Sequence, residues 1–203
     1  MNTAVRRKTP HHITVDEFVA WAPDDRWELI DGSPRAMAPA SATHGIIQAR
    51  FATILNRRLD AQGRDRVVVT EPAIVPRVRS RSNMRVPDLA VTCSSVEPGQ
   101  IALPDPLLIV EILSPTNEPE TWENVWTYVS IPSVQEVLVL RSATIAADLL
   151  RRRPDATWPE EPVQLGLNDD LHLQCIGLSV RLRSSISARF SPAASVAPPP
   201  DSA

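Results

Sequence analysis

Lysine is nearly absent: Lys8 is the only one in 203 residues, and glycine occurs just six times, at 32, 45, 63, 99, 166 and 177. None of the spacings G-x-G-x-x-G, G-x-S-x-G or the phosphate-loop pattern can be written with that set. Dinucleotide, α/β-hydrolase and P-loop chemistries are therefore excluded. Cys93 and Cys175 make no disulfide framework, and the Cys and His spacings match no zinc site. They read as free, partly buried thiols of a reducing cytosol. Aromatic residues are 4% of the chain, too few for a broad platform on which single-stranded nucleic acid would stack. The net charge of −3 argues against coating nucleic acid through overall charge, and leaves room for a local basic cleft. Arg6-Arg7-Lys8 is followed by no apolar h-region, and no apolar run approaches the roughly 18 residues of a membrane helix. A cytoplasmic protein with no membrane partner is the expectation.

What is present is a globular composition, 43% hydrophobic and 22% charged, in a chain long enough for one domain with a real core. Two apolar segments organise it. Val86-Pro87-Asp88-Leu89-Ala90-Val91 and Leu107-Leu108-Ile109-Val110-Glu111-Ile112-Leu113 both read as strands, each with one acidic residue. Around Glu111 the apolar residues do not alternate, the pattern of a strand covered on both faces. A lone ionised carboxylate there would cost several kcal/mol, so it must be paired, protonated or bound to a cation. Asp88, behind a proline at a strand start, can face the same cleft. The alternative is a Glu111 satisfied by an Arg or a backbone N–H, with Asp88 a turn residue.

Taken in order, residues 1–12 read as a mobile arm. Thr14-Val15-Asp16-Glu17 is a capping box opening a short helix, and Pro23-Asp24-Asp25 ends it. Trp27 to Met37 reads as a hairpin turning at Asp31-Gly32. Ala42 to Gln62 is helical, with Ile47, Phe51, Ile54, Leu55 and Leu59 as its apolar stripe and Gly63 at C′. His44 and Gln48, four apart, are neighbours on that helix and stand where they can line a cleft with Glu28. An N-terminal capping or core role is the competing reading for His44. Val67–Val69 and Ala73–Val75 are expected strands. The loop from Pro76 to Arg85 carries Arg77, Arg79, Arg81 and Arg85 just before Asp88; guanidinium forks suit phosphate oxygens, although basic loops are usually only solvated. A helix follows near Pro119, with Trp122, Val125, Trp126 and Val129 as its expected core face and Glu120, Asn124 and Tyr128 on another. Val134–Leu140, Ile145–Leu150 and Leu171–Cys175 are further strands. The Ser-, Ala- and Pro-rich residues 191–203 read as a disordered tail, leaving residues 13–190 as the domain.

Four stretches in this order carry a resemblance: Trp27-Glu28-Leu29-Ile30-Asp31-Gly32 with Met37-Ala38-Pro39 and His44; Pro87-Asp88; Val110-Glu111-Ile112-Leu113-Ser114-Pro115; and Tyr128 with Ile131 to Glu136. Together they resemble the Uma-type restriction endonuclease family of the PD-(D/E)XK nuclease superfamily, over about residues 14–187. The resemblance implies an α/β fold with a restriction-endonuclease-like mixed central sheet flanked by helices. It implies that Asp88 and Glu111 hold Mg2+, with Mn2+ as a substitute and Glu28 as a third carboxylate, for hydrolytic cleavage of DNA. It singles out Arg85, since family members commonly carry an arginine shortly before Pro-Asp. It implies a homodimer by analogy of fold alone.

One departure stands out. The superfamily's lysine, two residues after the second acid, is Leu113 here, and the Uma-type family commonly supplies it four residues before the tyrosine, where this chain has Asn124. Two function classes therefore stay open. One is a metal-dependent endonuclease, attenuated by the missing ammonium; the other is a non-catalytic nucleic-acid-binding or interaction protein that keeps the nuclease fold. A shift of labelled duplex without cutting marks the second. A plain protein-interaction domain would give neither.

Overall fold

A computed structural model describes residues 12–21, 26–63 and 65–186. Apart from His12, the arm expected over 1–12 lies outside them, as do the tail over 191–203 and the Pro23-Asp24-Asp25 helix stop.

The frame is a six-stranded mixed sheet in the order β3-β4-β5-β6-β7-β8, formed by β3 (Val67–Thr70), β4 (Leu89–Thr92), β5 (Pro106–Leu113), β6 (Glu136–Arg141), β7 (Ala147–Arg151) and β8 (Val163–Leu165). Only β5 and β6 pair in parallel, and the helix between them makes the crossover such a pair requires. All eight residues of β5 are buried, as expected for a strand covered on both faces. Alternation then sorts its side chains. Leu108, Val110 and Ile112 join the cluster around α2 (Ala42–Gln62); Ile109 and Leu113 join the one around α3 (Glu118–Tyr128). Glu111, by the same parity, lies on the α3 face.

α2 runs over the residues expected, with Gly63 as its expected cap and Ser41 as a cap that the pattern had not singled out. Ser41 accepts from the His44 N–H at 3.2 Å, and Gly63 takes the left-handed cap at φ 57°. Ile47, Phe51, Leu55 and Leu59 are buried on the sheet. The Thr14 box caps α1 (Val15–Trp21): Thr14 N–H donates to Glu17 Oε2 at 2.8 Å, and Glu17 N–H to Thr14 Oγ1 at 3.3 Å. β1 (Trp27–Ile30) and β2 (Ser33–Ala36) make the hairpin, turning through Asp31 and Gly32 with φ of 48° and 81°. Two successive positive φ values are the type I′ signature that Asp-Gly favours. Phe18, Leu29 and Met84 knit this N-terminal unit together.

Several elements differ from the expectation. Ala73–Val75 makes only isolated bridges, Ala73 to Ala102 and Ile74 to Arg85, because Pro72 and Pro76 bracket it and lack the N–H a ladder needs. β4 starts at Leu89 rather than Val86, since Pro87 cannot donate. On α3 the inward face is Thr121, Asn124, Val125 and Tyr128, while Trp126 is 43% exposed. Trp122 and Trp126 lie against each other at 6.4 Å between ring centroids. Trp122 stays half-buried against the core cluster and Trp126 turns outward, while Asn124 and Tyr128 meet buried carboxylates beneath. The segment read as Leu171–Cys175 ends as β9 (Asp170–Leu173), followed by a 3-10 turn. That strand pairs with β10 (Leu178–Arg181), which leads into α4 (Leu182–Ile186).

Candidate active site

Asp88 and Glu111 meet through strand register. Leu89 pairs with Val110, so the preceding residue of β4 falls opposite the following residue of β5. The Ile112 N–H donates to Asp88 Oδ2 at 2.6 Å, and His44 Nε2 lies 2.7 Å from Asp88 Oδ1. Tyr128 donates its phenolic proton to Glu111 Oε1 at 2.8 Å. The third carboxylate, Glu28, comes from the hairpin. Its Oε2 accepts from Arg35 at 3.0 Å, and its Oε1 from the Val86 N–H at 3.1 Å and from Asn124 Nδ2 at 3.2 Å.

These groups line one cleft of about 440 Å3. Its walls include Glu28, His44, Asp88, Glu111 and Asn124 with Arg26, Arg35, Ser114, Asn117 and Thr121. Burial dominates its electrostatics. Glu111 is pushed well above the ordinary carboxylate range, first by desolvation and then by the charge of Asp88, with Glu28 adding to it and the Tyr128 hydrogen bond opposing. The Tyr128 phenol is likewise pushed up, by burial and then by Glu111 and Glu28.

The residues present fit a hard divalent cation. Two adjoining carboxylates, one too desolvated to ionise readily, form the kind of oxygen donor set that such an ion neutralises. Each keeps lone pairs free of its protein partners. No three His, Cys, Asp or Glu side chains form a ready cage among the described residues, so an ion here would complete its shell with water.

Other sequence-singled residues fall elsewhere. Gln48 donates to the Asp88 carbonyl at 3.0 Å and steadies the backbone under the acid, without lining the cleft. Arg79 pairs with Asp31, and the Arg81 carbonyl accepts from Val15 N–H, so this loop is tied to the hairpin and α1. Neither side chain lines the cleft. The loop is held off the cleft wall: Asn83 bonds Asp31 and the Val78 carbonyl and folds the loop onto the hairpin. Arg85 is turned inward, 2% exposed, with Nε and Nη1 unpartnered among the described residues and Glu123 at 4.0 Å.

Among the described residues, the arginines lining the cleft are instead Arg26 and Arg35, which the sequence pattern did not single out. Arg35 had a signal: a two-residue turn at Asp31-Gly32 sets position 35 opposite position 28. Arg26 had none, since its partner Glu71, at 3.0 Å, is distant in sequence.

The raised Glu111 pKa makes a stability prediction. The folded protein keeps this proton above the pH at which an unfolded Glu, near pKa 4.3, has lost it. The unfolded state then binds fewer protons, and stability falls as pH rises from the ordinary Glu range through the raised value. In chelator, Tm of the wild type should fall over that window, while Glu111→Gln should flatten the slope and be the more stable at its upper end. Parallel Tm curves for the two proteins would show that Glu111 ionises as freely as an exposed residue.

Comparison with known proteins agrees with this architecture. A putative nuclease of the DUF820 family from Anabaena variabilis, solved by crystallography, superposes with a TM-score of 0.70 at 18% identity, covering 86% of this chain and 97% of that one. An uncharacterized protein from Synechocystis is 29% identical over 171 residues, 82% of this chain and 87% of the relative. The family model named Uma2, described as putative restriction endonuclease, matches residues 15–183. With the fold matched and the family model spanning nearly the whole domain, the chain belongs to the Uma2 family.

Proposed function

We propose that this protein is a Mg2+-dependent DNA endonuclease whose cleavage step is attenuated at Asn124. The observation carrying it is the Asp88–Glu111 pair, two buried carboxylates brought together where burial and the neighbouring Asp88 oppose the ionisation of Glu111. Evolution of a stable core gives no reason for that arrangement, whereas a cation site does. Mg2+ when bound, or Mn2+ in its place, supplies Lewis-acid polarisation of a phosphodiester and a lowered pKa for an attacking water.

The chain's own residues orient that chemistry. The Ile112 N–H and His44 hold both oxygens of Asp88, and Tyr128 holds Glu111. Glu28 is positioned to orient water at the cleft wall. Asn124 bonds Glu28 and is neutral, so it cannot stabilise charge developing on phosphorus as an ammonium does. Arg85, buried beneath α3, does not line the cleft where that charge would be needed.

The second reading, a nucleic-acid-binding protein that keeps the fold without cutting, is favoured by the same Asn124. The free thiols Cys93 and Cys175 accord with a cytoplasmic setting, and no described helix is long and apolar enough to cross a membrane. A homodimer rests on analogy of fold; light scattering should read twice the chain mass, and a monomer at working concentration removes it.

Calorimetry and cleavage separate the readings. Wild type should take up Mg2+ or Mn2+, and Asp88→Ala should lose that heat; undiminished uptake sinks the metal site. Wild type should nick labelled duplex slowly, and Asn124→Lys should raise the rate by an order of magnitude or more, each order being about 1.4 kcal/mol of barrier. Robust Mg2+-dependent cutting that neither Asn124→Ala nor Asn124→Lys alters would mean the charge at position 124 has no part in the step. A duplex shift with no cutting by any of these proteins supports the binder.

A further inference from the structure

A phosphodiester entering this cleft would meet four carboxylates, Glu28, Asp88, Glu111 and Glu120, so a protein cation is needed there besides any metal. Among the described residues, the Arg and Lys side chains lining the cleft are Arg26 and Arg35. They are anchored differently. Arg26 gives its Nη2 to Glu71, which lies outside the cleft wall, and its Nε is buried. Arg35 gives its Nη2 to Glu28, inside the cleft. Its side chain is 37% exposed, and its Nε and Nη1 have no protein partner among the described residues.

Glu28 is what ties Arg35 to position 124. One carboxylate oxygen takes Arg35 and the other takes Asn124. Asn124 is 8% exposed, and its Oδ1 has no partner. The carboxylate that a lysine at 124 would face is thus already bonded, from the opposite side, by a fixed positive charge on β2. Strand register keeps it there, since Glu28 and Arg35 are directly paired across the hairpin. A guanidinium can hold a carboxylate with one nitrogen and offer the others to phosphate oxygens, which a single ammonium does less well.

We infer that Arg35 is the phosphate-contacting cation of this cleft, a substrate-binding charge supplied from the hairpin, distinct from the transition-state charge that Asn124 lacks. This rests on the nuclease-fold site binding nucleic acid as described above, and does not require that cleavage be fast. Arg35 contributes affinity for the substrate backbone irrespective of base sequence, because a phosphate contact positions without reading bases.

The test is the affinity of Arg35→Gln for a labelled mixed-sequence duplex in Ca2+, measured across a salt series. Loss of one charged phosphate contact should weaken binding about tenfold. It should also lower the log–log salt slope by about 0.9. Arg35→Lys, which keeps the charge, should keep the wild-type slope. A merely structural role, through Glu28 alone, would change stability and leave the slope of the folded protein unmoved. Should Arg35→Gln fail to fold because Glu28 loses its partner, the pair Glu28→Gln and Glu28→Gln/Arg35→Gln is compared instead, with the same slope difference expected. An unchanged slope overturns the inference whatever the cleavage result. Absence of cutting by wild type and Asn124→Lys overturns the nuclease reading while leaving the slope readout intact, and absence of any duplex binding overturns both.

Discussion

The antiparallel pairing of β4 with β5 sets Leu89 against Val110, and one further step along the ladder sets Asp88 against Glu111. A slip of one residue would turn the side chains of β4 to the opposite face. Leu89 and Val91, on the α2 side, and Ala90, on the α3 side, would then exchange clusters. The hydrophobic sorting that stabilises the sheet therefore also fixes the acidic pair. Its cost is local: two carboxyl groups share a desolvated place, and one stays protonated more readily than an exposed Glu.

Three elements then complete the site around that pair. The start of α2 brings His44 to Asp88, the end of α3 brings Tyr128 to Glu111, and the hairpin brings Glu28 and Arg35 beside Asn124. Each polar contact satisfies a group that would otherwise be buried at a cost of about 1–3 kcal/mol, more if charged. Among the described residues, the Asn124 Oδ1 and two nitrogens of buried Arg85 lack such a partner, and the charge of Arg85 opposes the rise of the Tyr128 phenol pKa.

Much of this was legible in sequence where local chemistry decides structure. Ala42 to Gln62 carries a regular apolar stripe with Gly63 behind it, and α2 formed at the residues read. Asp31-Gly32 dictated its own turn, and the unalternating run through Glu111 announced a strand buried on both faces. The family motifs added the pairing of Asp88 with Glu111 across two strands, which no local pattern contains. What failed was decided by tertiary partners. Trp126 looked like core by hydrophobicity yet is exposed, although Trp122 and Val125 of the same stripe pack as expected, and the carboxylates beneath that helix draw in Asn124 and Tyr128. Arg79 and Arg81 lie near Asp88 in sequence, but bonds to Asp31 and to α1 hold their loop against the hairpin, away from the cleft wall. Arg26 belongs to the cleft only through a fold-level neighbour, Glu71.

The account stands or falls on a cation held between Asp88 and Glu111. A crystal of the wild-type protein soaked in Mn2+, with diffraction recorded for the anomalous signal of manganese, tests it most directly. The account predicts a single strong peak within coordination distance of one oxygen from each carboxylate, with water completing the shell. A peak elsewhere, or none at the pair while Tyr128 still caps Glu111, would contradict it and leave the acidic pair a structural feature of the sheet.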